Sequence, residues 1–258
     1  MANPALSNNP AFRSNAPVSA AALEELYERP AATPSETGRM TYEDTAVKTV
    51  VLFAVLLATG AVGWFVPQLA FVGAIGGFVL ALVNTFKREP SVPLIVGYAA
   101  LEGLFIGGIT RIFETVYPGV AIQAVLATLV TVGVTLALFA SGKIRASARA
   151  TKVFLIAIVG YLVFRLVEAA ILLFGGSSSP FGLSSSVTIA GIPLGVLVGL
   201  FAVLLAAYSL VLDFDQIQQG VRRGLPAKYG WTGAFGLMVT IVWLYVEFLR
   251  IFAILNRR

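Results

Sequence analysis

Residues 119–140, GVAIQAVLATLVTVGVTLALFA, contain no charged side chain. A helix needs about 20 mostly apolar residues to cross a hydrocarbon core roughly 30 Å thick, and this stretch has that length. Lipid offers the backbone no hydrogen-bond partner, and the stretch lacks the alternating pattern of a barrel strand. It is therefore predicted to form a transmembrane helix.

Six further runs of the chain share this character. Of the 258 residues, 58% are hydrophobic and only 12% are charged, which is more apolar surface than a water-soluble fold of this length needs. The sequence predicts an all-α, polytopic membrane protein, a bundle of seven transmembrane helices, with residues 47–258 forming the membrane domain. The spans are placed at residues 47–66, 69–86, 93–113, 119–140, 153–174, 188–212 and 232–255.

A polar segment precedes the first span. Residues 1–46 are rich in the Pro, Ser, Asn and Glu that are typical of disorder, and they are predicted to form a largely disordered cytoplasmic tail. Residues 1–40 contain no apolar run, so no cleaved signal peptide is expected. The first span then serves as the insertion signal.

Positive charges predict the orientation, since short loops rich in Lys and Arg stay in the cytoplasm. Such charges flank the start of the first span and follow the second, fourth and sixth spans. The N-terminus is therefore predicted to be cytoplasmic, and seven full spans place the C-terminus outside. Arg257 and Arg258 conflict with this topology, and a re-entrant last segment would resolve the conflict. The length of that segment and its Trp231 and Trp243 favour a full crossing.

The chain contains neither Cys nor His. Disulfides, thiolate chemistry, Ser/His and Cys/His triads, zinc-protease motifs and haem ligation by imidazole are thereby excluded. We predict no enzymatic activity and no cofactor. The net charge of +5 lies in short loops, where it sets topology, so no nucleic-acid partner is expected.

Nine ionisable side chains fall within or at the ends of the predicted spans. Each costs at least about 2.5 kcal/mol on insertion scales, so each requires a partner or a function. Six form opposite-charge pairs three residues apart, a spacing that brings side chains together on one helical face. Such pairs either neutralise each other or lie at the interface with snorkelling stems. The pairs are Arg111 with Glu114, Arg165 with Glu168, and Glu247 with Arg250.

Glu102, Asp213 and Asp215 remain without a local partner, which leaves more acids than bases in the bundle. Carboxylates inside a helical bundle replace the water around a hard cation such as Ca²⁺, or exchange protons, and they repel anions. Asp213 and Asp215 lie about 200° apart around a helix, so only one of them faces the bundle centre. Neighbouring buried carboxyls titrate nearer to neutrality than free ones, so the pattern indicates a cation pathway gated by protonation or by an Arg latch.

Three segments resemble a known family: residues 98–109 (YAALEGLFIGGI), 212–215 (LDFD) and 242–250 (VWLYVEFLR). They are similar to the Bax inhibitor-1 family, specifically its bacterial YccA-like branch, and the resemblance covers about residues 40–255. The opening SNNPAF of residues 7–12 also resembles the tail of a bacterial subgroup.

The resemblance implies a seven-helix, pH-sensitive Ca²⁺ leak channel with an acidic sensor pair on the last two helices and an arginine latch. Asp215 and Glu247 match the sensor pair and are the candidate Ca²⁺ ligands, while Glu102 matches the glutamate of the Glu-Gly-Leu segment. Arg111 is the nearest counterpart of the latch, and Arg250 is a second candidate. The span-seven acid is usually Asp in this family, and Asp215 and Glu247 differ in depth by about 13 Å at 1.5 Å per residue. Their contact requires one of the two helices to extend beyond its predicted span.

The family is also associated with another class of function, the modulation of a membrane protease or a stress response. In that alternative the protein is an interaction protein whose tail makes the contact, so that deleting residues 1–39 matters more than neutralising Asp215. A proton-coupled transporter would need internal repeats, which the spans do not show. An intramembrane hydrolase would have to act through paired carboxylates alone.

Overall fold

The computed structural model describes residues 38–87, 89–175 and 183–257, so most of the predicted tail, residues 1–37, lies outside the described residues. Within those ranges seven helices are long and apolar enough to cross a membrane, which confirms the predicted fold class. The helices are α1 (Tyr42–Phe65), α2 (Leu69–Phe86), α3 (Val92–Val116), α4 (Val120–Ala140), α5 (Ala148–Leu173), the short α6 (Leu183–Ser186), α7 (Leu194–Arg222) and α8 (Gly230–Leu255).

Two helices begin earlier than the hydropathy predicts because a side chain caps them. The Thr41 hydroxyl accepts the Asp44 backbone N–H at 3.0 Å, so α1 starts at Tyr42 rather than at residue 47. Ser147 accepts the Ala150 N–H at 3.2 Å, so α5 starts at Ala148 rather than at residue 153. Polar first turns lower the local hydropathy, and the capping bonds still make them helical.

The sixth span differs most from its prediction. A two-stranded hairpin, β1 (Thr188–Ile189) and β2 (Ile192–Pro193), occupies its expected start, and the turn places Gly191 at a φ of 79°. Gly191 therefore lies in the turn of the hairpin, outside α7. The helix α7 begins after Pro193 and continues to Arg222 instead of ending at residue 212.

Small residues bring α1 and α3 into backbone contact. A Cβ atom added at Gly107 would lie 1.9 Å from the Gly60 carbonyl oxygen, and one at Gly63 would lie 2.4 Å from the Leu104 carbonyl oxygen. Gly103 faces the backbone of Leu56 as closely. Small residues at this spacing let the two helix backbones approach closely, so α3 packs against α1 through its glycines.

The seven long helices differ in how much of their length is buried inside the bundle. The most buried of them are α8 and α7, whereas α2 and α5 expose most of their length to the surroundings of the bundle. On α5 only Phe154, Tyr161 and Glu168 are buried. Large apolar side chains cover the outside of the bundle, as lipid-facing surfaces require.

The bundle has two ends, which we call the N-terminal face, where α1 begins, and the opposite face. At the N-terminal face residues 38–40 pair with the α7–α8 connection: the Met40 N–H donates to the Leu225 carbonyl at 2.7 Å, and the Ala227 N–H donates to the Gly38 carbonyl at 2.8 Å. Met40 is buried. The last residues of the predicted tail are therefore part of the folded bundle.

Candidate functional site

A buried ion pair joins the peripheral helix α5 to the central helix α8. The Arg165 Nη2 atom donates to both carboxylate oxygens of Glu247, at 2.8 and 3.0 Å. Its Nε atom donates to the Tyr161 hydroxyl at 2.8 Å, and that hydroxyl in turn donates to Glu247. Arg165 therefore uses its planar guanidinium to hold a carboxylate and a phenol together.

A second acid and a second base extend this pair into a network. Glu168 accepts hydrogen bonds from Arg165 Nη1 at 2.9 Å and from Arg250 Nη2 at 2.5 Å. Its other oxygen accepts the Ser184 backbone N–H at 3.0 Å, and the Ser184 hydroxyl contacts Arg250 at 3.1 Å. The helix α6 thus closes over the network from the opposite face.

We call the four charged residues Arg165, Glu168, Glu247 and Arg250 the ionic network. Two carboxylates face two guanidinium groups, so its formal charge sums to zero. Only 3% of Glu168 and 2% of Glu247 is exposed. Burying such ions costs several kcal/mol each, which their mutual attraction offsets only while all partners are present. The network therefore acts as a fastening between α5, α6 and α8.

A separate polar cluster lies between α7 and α8 nearer to the N-terminal face. The Thr240 hydroxyl donates to Asp213 at 2.7 Å and lies 3.3 Å from the Ser209 hydroxyl. Asp213 lines a 150 Å³ cavity that also borders Met40 and Gln216. One carboxylate is thus accessible from a cavity at this end of the bundle.

Buried apolar side chains separate the Asp213 cluster from the ionic network. Thr240 and Glu247 are about 10 Å apart along α8 at 1.5 Å per residue. The side chains packed at this level are Ala202, Leu205, Ala206, Trp243 and Leu244. The line of polar groups along α7 and α8 is therefore interrupted by an apolar layer.

A sequence model of known proteins, described as Bax inhibitor 1 like, matches residues 3–257 of this chain. The chain belongs to the Bax inhibitor 1 like family. The resemblance noted in the sequence is thereby confirmed at the level of the family, and the chain is a multi-pass membrane protein of that family. No curated protein matches it significantly.

The sensor pair implied by the family resemblance is not assembled. Glu247 lies beside Gly199 on α7, with its Oε2 atom 3.9 Å from a Cβ built at that glycine. Asp215 is further along the same helix by about 24 Å at 1.5 Å per residue. It accepts a hydrogen bond from Gln219 at 2.5 Å instead. The predicted Asp215–Glu247 contact is wrong, and so is their prediction as a shared Ca²⁺ site.

The longer α7 does not bring the two acids together, because the helices are antiparallel and Asp215 lies near the start of α8. Asp213, two residues closer along α7, is the acid that reaches α8, through Thr240. Among the described residues no group of three or more acidic side chains is arranged to hold a metal ion.

Two of the three predicted local pairs do not form. Arg111 lies over the Trp64 ring, 5.3 Å from its centroid, on an exposed part of α3, so it is not a latch. Glu114 accepts the backbone N–H groups of Gly119 and Ala121, at 2.6 and 2.9 Å, at the start of α4. Unpaired N–H groups at a helix start attract a carboxylate strongly, so this capping prevails over the Arg111 pairing.

Of the other two predicted pairs, Arg165 with Glu168 forms. Glu247 with Arg250 does not form, because Arg250 contacts Glu168 instead. Arg250 therefore does bind a buried carboxylate, as a latch would. Sequence reasoning did not single out Arg165 as the residue that holds Glu247. A mid-span arginine one turn after Tyr161 was the available signal, since a tyrosine hydroxyl extends the polar site.

Glu102 does not join either cluster. It lies between α2 and α3, beside a 260 Å³ cleft, and a Cβ built at Gly77 would lie 2.8 Å from its Oε2 atom. Aromatic side chains surround it, among them Tyr98 and Phe105. Within the described residues, no hydrogen-bond or ion-pair partner reaches its carboxylate. The alternative function depends on the tail, and residues 1–37 of that tail lie outside the described residues.

Proposed function

We propose that this protein is a pH-sensitive cation leak channel, with Ca²⁺ as a conducted ion, in which the ionic network forms the closed gate. It would act in the plasma (inner) membrane of a bacterium, as a member of the YccA-like branch, with its N-terminus in the cytoplasm. The observation that carries the proposal is the buried bond from Arg165 on the peripheral α5 to Glu247 on the central α8.

The acidic side chains along α7 and α8 would make the pathway selective for cations. Asp213 borders a cavity at the N-terminal face, and Glu247 lies further along the same pair of helices. Carboxylates in a low-dielectric pathway attract cations and exclude anions. The buried apolar layer between them, with Ala202 and Leu244 fully buried, excludes water and keeps the pathway closed.

Opening would follow from the loss of one charge in the network. Without the charge of Glu247, the attraction between this side chain and Arg165 is lost, and without the charge of Glu168 the attraction to Arg165 and Arg250 is lost. Because α5 buries few side chains besides those of the network, it would then move away from α8. Flux through the protein is therefore expected to rise when the network is broken.

The test is Ca²⁺ flux into dye-loaded liposomes containing the purified protein at pH 6, 7 and 8. Glu247→Gln and Arg165→Gln each break the central pair, so we expect both to raise the flux at pH 8 and to flatten its pH dependence. Asp213→Asn removes the accessible carboxylate and should lower the flux at every pH.

Asp215→Asn is the matched control, because this acid is two positions from Asp213 and bonds only to Gln219 among the described residues. It should leave both the flux and its pH profile unchanged. Folded, inserted protein without flux above empty liposomes would overturn the channel. A flux that is equal in wild type and Glu247→Gln at all three pH values would overturn the gate.

A further inference from the structure

A groove runs between α5 and α7 on the outside of the bundle. Its volume is 380 Å³, and it opens sideways, since Val153 at its edge is 66% exposed and Phe201 is 45% exposed. Its floor is closed by Phe154 and Leu205, which are buried. The groove is lined by Arg149, Ala150, Val153, Phe154, Ala157, Phe201, Leu205 and Tyr208.

The groove has the depth of one lipid leaflet. It extends from Arg149 to Ala157, which is about 12 Å along α5 at 1.5 Å per residue. Half of a hydrocarbon core is about 15 Å thick. The Tyr208 hydroxyl lies 3.0 Å from the Thr151 hydroxyl and marks the polar end of the groove at the N-terminal face. The remaining lining is apolar, as an acyl chain requires.

The polar end of the groove is cationic. Arg149 lines it. Lys152 is not part of the lining, but it follows Arg149 by three residues on α5, a spacing that lets both side chains reach one ligand at the membrane surface. Both are exposed. Neither has an acidic partner among the described residues, and the sequence contains no acid between Glu114 and Glu168. The charge here is complementary to an anion at the membrane surface.

We propose that this groove is a binding site for an anionic phospholipid of the surrounding bilayer. One acyl chain lies against Ala157 and Leu205, and Arg149 and Lys152 contact the phosphate. Anionic headgroups attract basic residues at the membrane surface, and a buried acyl chain adds apolar contact that a headgroup alone lacks. The inference does not depend on the proposed channel activity, because it concerns binding alone.

Native mass spectrometry of the full-length protein, released from detergent after addition of phosphatidylglycerol or phosphatidylcholine, tests the site. Wild type should retain one phosphatidylglycerol and far less phosphatidylcholine. The double substitution Arg149→Gln with Lys152→Gln should weaken phosphatidylglycerol binding about tenfold, the loss expected from charge-assisted contacts. Ala157→Trp fills the groove without altering charge and should weaken the binding to a similar extent.

Lys228→Gln is the charge control, because Lys228 is an exposed cation at the same face that pairs with Glu89. It should bind like wild type. Circular dichroism shows whether Ala157→Trp is folded, and the exposed Arg149 and Lys152 substitutions test the site independently. Equal retention of both lipids, a similar loss in Lys228→Gln, or unchanged binding in folded Ala157→Trp would each overturn the proposal. So would a protein dimer that Ala157→Trp dissociates, because the groove would then hold a second copy.

Discussion

At the scale of single residues, the ionic network shows how charge is tolerated inside this bundle. Each carboxylate has an arginine within 3.0 Å, and Tyr161 and Ser184 satisfy remaining donors and acceptors. The network is not a general source of stability, since desolvation offsets most of the attraction. Its consequence is that the removal of one member leaves another charge buried without its partner.

Glu247→Gln should therefore destabilise the protein by about 3 kcal/mol, because Arg165 loses its buried partner on α8. The double variant Arg165→Gln with Glu247→Gln removes both charges and should be more stable than the sum of the two single losses implies. Thermal unfolding of the purified protein in detergent measures all three variants. Strictly additive losses would contradict a direct pair.

Glu102→Gln should have the opposite effect. Its carboxylate has no polar partner among the described residues and lies beside an apolar cleft, so its charge at pH 8 is a cost that the amide avoids. We expect an equal or higher midpoint of thermal unfolding at pH 8. Glu168→Gln, which removes the carboxylate that both Arg165 and Arg250 contact, is the matched comparison and should lower the midpoint. A fall for Glu102→Gln as large as that for Glu168→Gln would reveal a charged partner.

At the scale of elements, the contact between α1 and α3 depends on the absence of side chains. The two backbones approach at Gly60, Gly63, Gly103 and Gly107, where an added Cβ would lie within 3.5 Å of a backbone atom of the facing helix. Close backbone approach replaces the hydrophobic effect as the source of association between helices in lipid. One methyl group at this contact must push the helices apart.

Gly107→Ala is expected to destabilise the protein by about 1 to 3 kcal/mol, the usual cost of overpacking. Gly133→Ala is the control, since a Cβ at that position in α4 meets no atom within 4 Å. The control should be neutral or slightly stabilising, because alanine favours a helix more than glycine does. Thermal unfolding compares the two variants, and equal midpoints would contradict the close contact.

At the scale of the whole molecule, seven complete crossings put the start of α1 and the end of α8 on opposite sides of a membrane. The last helix, α8, is 26 residues long and is the most buried of the spans, so it crosses the bundle completely rather than re-entering. The structure thus favours the full crossing over the re-entrant alternative that Arg257 and Arg258 suggested. The sidedness follows from the loop charges and remains a prediction.

The absence of native cysteine allows a direct test of this topology in intact cells. Asn256→Cys lies after α8, and Ser141→Cys lies after α4 at the N-terminal face; both positions are exposed. A membrane-impermeant maleimide should label Asn256→Cys in intact cells and Ser141→Cys only after permeabilisation. Labelling of both positions from the same side would contradict seven crossings.

Much of the fold was predictable from the sequence, because hydropathy is a local property that adds up along a run of residues. The seven spans and the acid and arginine candidates follow from such local patterns. The errors in helix ends also have local causes: the capping of α1 and α5 by hydroxyl side chains, and the hairpin before α7.

Partner choice among the charges could not be predicted in the same way. Arg165 and Glu247 are 82 positions apart in the chain, and whether they meet depends on the depth and rotation of α5 against α8. The same geometry separates Asp215 from Glu247 and turns Arg111 towards Trp64. The sequence by itself determined that this protein is a seven-helix bundle in a bilayer with acids and arginines inside it. The tertiary structure alone decided which of those charges face each other, because helix packing, unlike hydropathy, depends on every other helix in the bundle.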